Sequence, residues 1–153
     1  MQTNRTCFFR SSFIIHHSSF IVHHSVGGDT IVSARDKARR IARIADEMKA
    51  EEIVVLDVKR LCSFTDVLIL CTGTSRVHLR AIVDRVEQRL RERDIRPLAV
   101  EGLEGTGWVI LDYGDVVAHA FIEESRRYYN LERLWGDGKP VEWRPKSPRR
   151  SRT

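Results

Sequence analysis

WVILDYGDVVAHAFI, residues Trp108 to Ile122, decides how this chain is read. Two runs rich in branched and aromatic residues, Trp108 to Asp112 and Val116 to Ile122, flank Tyr113-Gly114-Asp115, a connection short enough to predict a tight hairpin. Side chains alternate along the second run. Val117, His119 and Phe121 share one face, and Val116, Ala118, Ala120 and Ile122 share the other.

Working upstream, IVVLDV (Ile53 to Val58) and VLILC (Val67 to Cys71) are short, continuous apolar runs, as expected of buried strands, joined by a polar connection from Lys59 to Asp66. Ala38, Ile41, Ala42, Ile44, Ala45 and Met48 recur at three- and four-residue spacing and predict an amphipathic helix over 34–51, with Ser33 as N-cap. Gly73-Thr74-Ser75 opens a second helix that runs to about Arg93. After Pro97 the period changes, and Leu98 to Val100 reads as a short strand before the Gly105-Thr106-Gly107 loop. Downstream of the hairpin, Glu123 and Glu124 suit the positive end of a last helix, which carries Tyr128, Leu131, Leu134 and Trp135 and stops at Gly136 and Gly138. The order α-β-β-α-β-β-β-α predicts a mixed α/β (α+β) fold: one five-stranded mixed sheet flanked by helices.

The 153 residues suffice for one ordinary domain, and no apolar run is long enough to span a bilayer. Three cysteines, Cys7, Cys62 and Cys71, without CxxC spacing, exclude a disulfide scaffold or Cys-rich zinc module and fit a reducing compartment. The formal charge of +5 is unevenly distributed. Residues 34–138 hold 18 basic against 19 acidic residues, a net −1, whereas residues 139–153 hold six basic and one acidic. The expected organisation is therefore a His-rich extension or mis-assigned start over 1–32, a folded domain over 33–138 and a disordered basic tail over 139–153. Within the extension, Ser12 to Ser18 is repeated almost exactly by Ser19 to Ser25. Its histidines, His16, His17, His23 and His24, have no carboxylate or thiolate companion in the repeat, so an extension outside the fold is favoured over a metal site.

Three constellations bear on chemistry. Gly73-Thr74-Ser75 lies where amides between a strand and a helix can cradle a phosphate, but neither GxxxxGK[ST] nor GxGxxG is present, and the same residues serve as turn and cap. Asp57 and Asp66, the candidate metal-holding carboxylates of such a site, stand at strand ends without an acidic neighbour. Asp112, Asp115 and His119 fall within eight residues, yet one imidazole between apolar neighbours on a sheet face is more often a packing or interface residue than a catalyst. The aromatic residues Trp108, Tyr113, Phe121, Tyr128, Tyr129 and Trp135 cluster late in the domain, where they serve either a core or a protein interface.

These strings together resemble the ribosomal silencing factor family, also called Iojap-like or RsfS. The resemblance rests on Leu56 to Val58, Ser63 to Asp66, Cys71 to Ser75, Glu101-Gly102, Trp108 to Phe121 and Ser125 to Trp135 (SRRYYNLERLW), and covers about residues 34–136. Departures at Arg60, Cys62 and Arg76-Val77 fall on a connection and a helix start. The resemblance implies a nucleotidyltransferase-like superfold and a cytoplasmic factor that is not an enzyme and takes no cofactor or metal. It further implies binding to the large ribosomal subunit through ribosomal protein L-fourteen, a block on small-subunit joining and translational repression under nutrient limitation. A domain of charge −1 suits docking on a basic protein, with rRNA contact by the tail only incidental. A homodimer is left open. The interface is expected at Trp108, Asp112, Tyr113, Asp115, His119 and Phe121. The alternatives are a large-subunit assembly factor, or a nucleotidyltransferase-like nucleotide-binding protein using Gly73, Ser75 and Asp57.

Overall fold

The computed structural model describes residues 32–105 and 107–145. The His-rich repeat from Ser12 to Ser25, Thr106 and the tail from Lys146 onward lie outside the described residues. In chain order the elements are α1 (Ala34–Glu47), β1 (Glu51–Asp57), β2 (Val67–Gly73), α2 (Arg76–Arg91), β3 (Ala99–Glu101), β4 (Trp108–Asp112), β5 (Val116–Ile122), α3 (Glu123–Tyr129), α4 (Leu131–Leu134) and β6 (Lys139–Pro140). The strands form one sheet in the order β3-β4-β5-β2-β1-β6. Only the β2–β5 pair is parallel; the other neighbours run antiparallel.

The apolar patterning explains the layering. All seven residues of β2 are buried, as its unbroken apolar run requires, and its alternate side chains enter two different cores. Val67, Ile69 and Cys71 join Val116, Ala118 and Ala120 of β5 beneath α1 and α2, which contribute Ile41, Ala42, Leu79, Ile82 and Val86. Small alanines on β5 allow the helices to sit close to the strand. Leu68, Leu70, Val117 and Phe121 point the other way and meet Trp108, Leu131 and Trp135. Ser33 caps α1 by accepting the Asp36 amide at 3.1 Å, and Ser75 caps α2 by accepting that of His78.

Two expectations need correction. The last helix is not continuous, because Asn130 adopts the left-handed conformation (φ 43°, ψ 56°), ending α3 and starting the single turn of α4. The sheet has six strands rather than five, and the sixth comes from the segment assigned to a disordered tail. Lys139 and Pro140 pair with Asp57 and Leu56, and the Val141 amide donates to the Val55 carbonyl at 2.9 Å. Trp143 is buried in the core under α1, and the Arg39 and Arg43 side chains donate to the carbonyls of Glu142 and Trp143. Pro140 is tolerated because β6 is an edge strand. The fold thus extends through residue 145, beyond the boundary expected at 138.

Candidate docking surface

The hairpin of β4 and β5 is fixed by its turn. Asp112 Oδ1 accepts the Gly114 amide at 2.7 Å, and Gly114 takes φ 84°, a region that glycine enters without strain. Asp115 anchors the start of β5: its side chain receives Lys37 Nζ at 2.6 Å from α1, and its carbonyl accepts the Asp66 and Val67 amides. Both carboxylates therefore hold the hairpin in place.

Across the sheet, β4 and β5 pair Trp108 with Phe121 and Ile110 with His119. Trp108 stacks on Phe121 at 5.3 Å between centroids and meets Tyr129 of α3 at 4.4 Å. Its indole N–H donates to His119 Nδ1 at 3.2 Å, which assigns the imidazole as an acceptor at Nδ1. Desolvation pushes the His119 pKa down to about 4, so the ring is neutral at neutral pH and keeps that acceptor. Phe121 is 1% exposed and Trp108 6%.

Of the six expected interface residues, the structure brings Trp108, His119 and Phe121 into one aromatic group and leaves the others elsewhere. Tyr113 turns to the opposite core beneath the helices, where burial and then the Glu87 carboxylate push its phenol pKa up. Its hydroxyl has no hydrogen-bond partner among the described residues. Trp108 and Phe121 are the floor of the face, not its surface. The accessible part is the cross-strand row Glu101, Ile110 and His119, each half-buried; Tyr128 of α3 is 82% exposed. Tyr128 packs edge-on against Tyr129, which links it to the aromatic floor. Ile110 was legible, since it shares a face with Trp108 by alternation and lies opposite His119.

Sequence reasoning also missed Arg126. This side chain is buried, donates to Thr72 Oγ1 at 2.8 Å and pairs with Glu132 at 2.5 Å, so it ties α3 and α4 to the end of β2. It lies within the SRRYYNLERLW string that carries the family resemblance.

The structure does not bring together Asp57, Gly73 and Ser75, the residues of the nucleotide-binding alternative. Asp57 and Gly73 occupy opposite ends of the antiparallel β1–β2 pair, Asp57 facing Val67 and Thr72 facing Glu51. Six residues of strand separate them, roughly 20 Å. Asp57 is held by Arg35 at 2.6 Å, and that contact keeps its carboxyl below the usual range. At the other end, the Thr74 amide donates to His78 Nδ1 at 3.0 Å and the His78 amide to Ser75, so both amides are already used by the cap. Gly73 is required for a different reason: a Cβ there would lie 2.8 Å from the Leu79 amide nitrogen of α2. Burial pushes the Cys71 thiol up to about 12, far from a reactive thiolate. Among the described residues no group of three or more His, Cys, Asp or Glu side chains is placed to hold a metal, and no helix is long and apolar enough to cross a membrane.

Comparisons with known proteins agree with this frame. Residues 32–153 match the family model described as "Ribosomal silencing factor during starvation". The ribosomal silencing factor RsfS of Halalkalibacterium halodurans is 40% identical over 97 residues, covering 63% of this chain and 83% of the relative; that of Bacillus subtilis is 38% identical over 96 residues, covering 63% and 81%. The chloroplastic Iojap protein of Zea mays is 35% identical over 126 residues, 77% of this chain and 55% of the relative. Among solved structures, a Chromobacterium violaceum protein superposes with a TM-score of 0.66 at 30% identity, covering 75% of this chain and 96% of that one. A Bacillus halodurans protein gives 0.59 at 36% identity, with 67% and 94% covered.

Proposed function

The chain belongs to the ribosomal silencing factor family, and from that premise we propose that it is a cytoplasmic, non-enzymatic repressor of translation. It binds the large ribosomal subunit through ribosomal protein L-fourteen and keeps the small subunit from joining, so that translation falls when nutrients are short. The observation that carries this reading is the Trp108–Phe121 string folded as a hairpin whose outer row, Glu101, Ile110 and His119, stays accessible above a rigid aromatic floor. A partly apolar row with an exposed tyrosine beside it has the composition of a protein-docking surface. Outside α1 and α2, residues 50–75 and 94–145 hold eight basic against fourteen acidic residues, a balance suited to a basic ribosomal protein. Trp108 and Phe121 act from beneath, holding the row flat.

The test is co-sedimentation of the full chain with purified large subunits. Tyr128→Ala and Ile110→Ala together remove accessible apolar surface while leaving Trp108 and Phe121 in place, and should weaken binding by about tenfold or more with an unchanged circular dichroism spectrum. Binding equal to that of the unaltered protein would remove the hairpin face from the interface.

A further inference from the structure

The near-neutral charge of the domain conceals a division between its two sides. Residues 34–49 and 76–93, which comprise α1, α2 and their ends, carry twelve Lys and Arg against six Asp and Glu, a net +6; the rest of the chain from 50 to 145 carries −6. Both helices bury most of their apolar residues against the sheet, so most of these charges lie on the outward side of one layer; Lys37 and Arg35 instead pair with Asp115 and Asp57. Four of the six acidic groups are already paired: Asp36 with Arg39, Asp46 with Arg144, Glu47 with Arg89 and Asp84 with Arg80. Arg40, Lys49, Arg85, Arg91 and Arg93 make no ion pair among the described residues.

We propose that the outer face of α1 and α2 is a second docking surface, which binds the phosphate backbone of ribosomal RNA while the hairpin face holds a ribosomal protein. This rests on the reading of the chain as a large-subunit factor. The Arg89–Glu47 pair brings the two helices together, and Arg85 lies one turn before Arg89. Arg40 lies two turns before Glu47 on the same edge of α1, so the unpaired guanidinium groups flank one seam. Arginine suits this role, since its planar fork donates two parallel hydrogen bonds to a phosphate. Neither helix contains Phe, Tyr or Trp, and the ring of His78 is engaged by the Thr74 amide and the Met48 carbonyl, so the face offers no platform for stacked bases and recognises backbone rather than sequence. Residues 142–144 also lie on this side: Arg39 and Arg43 hold the carbonyls of Glu142 and Trp143, and Arg144 lies 3.9 Å from Asp46.

The experiment measures affinity against salt concentration for the full chain and for an Arg40→Gln, Arg85→Gln, Arg93→Gln variant, on purified large subunits and on deproteinised large-subunit rRNA. Each cation that leaves a phosphate lowers the slope of log affinity against log salt by about 0.7–0.9, so three should lower it by about 2 and weaken binding about 100-fold at 0.1 M salt, with little change near 1 M. The corresponding triple Lys variant should retain most of the slope. An unchanged slope on both probes would overturn the proposal, as would binding to phosphatidylserine vesicles without binding to rRNA. Failure of the unaltered chain to bind large subunits would overturn the parent reading instead, and the rRNA arm would still decide the fate of this face.

Discussion

His119 accepts the Trp108 indole N–H only while its ring is neutral, which couples the aromatic floor to pH. Its folded pKa of about 4 lies below the unfolded value near 6.5, so the unfolded chain binds the extra proton first as pH falls. The associated stability is fully present above about pH 6.5 and is lost progressively towards pH 4, at most about 3 kcal/mol. Urea denaturation across this range should show the loss in the unaltered protein and a much flatter profile in His119→Gln, whose amide oxygen still accepts the indole; parallel profiles would contradict the assignment. Gly102 is a second single-residue constraint, at φ 83° with the position of a Cβ only 2.0 Å from the Trp108 carbonyl oxygen. Gly102→Ala should destabilise by about 2 kcal/mol or more, read from the same denaturation midpoint. At this scale the sequence was legible where alternation operates, as in the placement of His119 beside Phe121. It was not legible for Tyr113, which follows the end of β4 and turns under the helices, nor for Arg126, whose burial depends on Thr72 and Glu132 arriving from other elements.

The most informative element is the smallest, β6 with the four residues that follow it. Composition assigns 139–153 to a tail because prolines and arginines are counted together, yet Val141 and Trp143 alternate with polar neighbours and fill the space between α1 and the β1 edge. Truncation after Gly138 should destabilise the domain by about 3–5 kcal/mol, since it removes a buried tryptophan and the β6–β1 hydrogen bonds, whereas truncation after Pro145 should leave the thermal midpoint nearly unchanged. Equal midpoints for the two truncations would contradict a structural role for Trp143. The long helices and the two central strands followed from periodicity because their apolar stripes are continuous. The break at Asn130 did not, because the left-handed residue interrupts a pattern whose apolar positions, Leu131 and Trp135, still fall at helical spacing.

At the scale of the whole molecule, net charge hid what segment charge reveals: a positive helical layer backs onto a sheet side of opposite sign, and averaging over residues 34–138 returns −1. Counting by helix would have exposed the division, as both helices were evident from spacing. The two sides suit two kinds of neighbour, a basic protein against the hairpin and RNA phosphates against the helices. The most direct measurement is sucrose-gradient sedimentation of purified large and small subunits mixed under associating conditions with increasing amounts of the full chain. The account predicts that the chain migrates with the large subunit and that the associated ribosome peak falls as it saturates, with the Tyr128→Ala, Ile110→Ala variant requiring about tenfold more protein. An undiminished associated peak at saturating protein bound to the large subunit would contradict it.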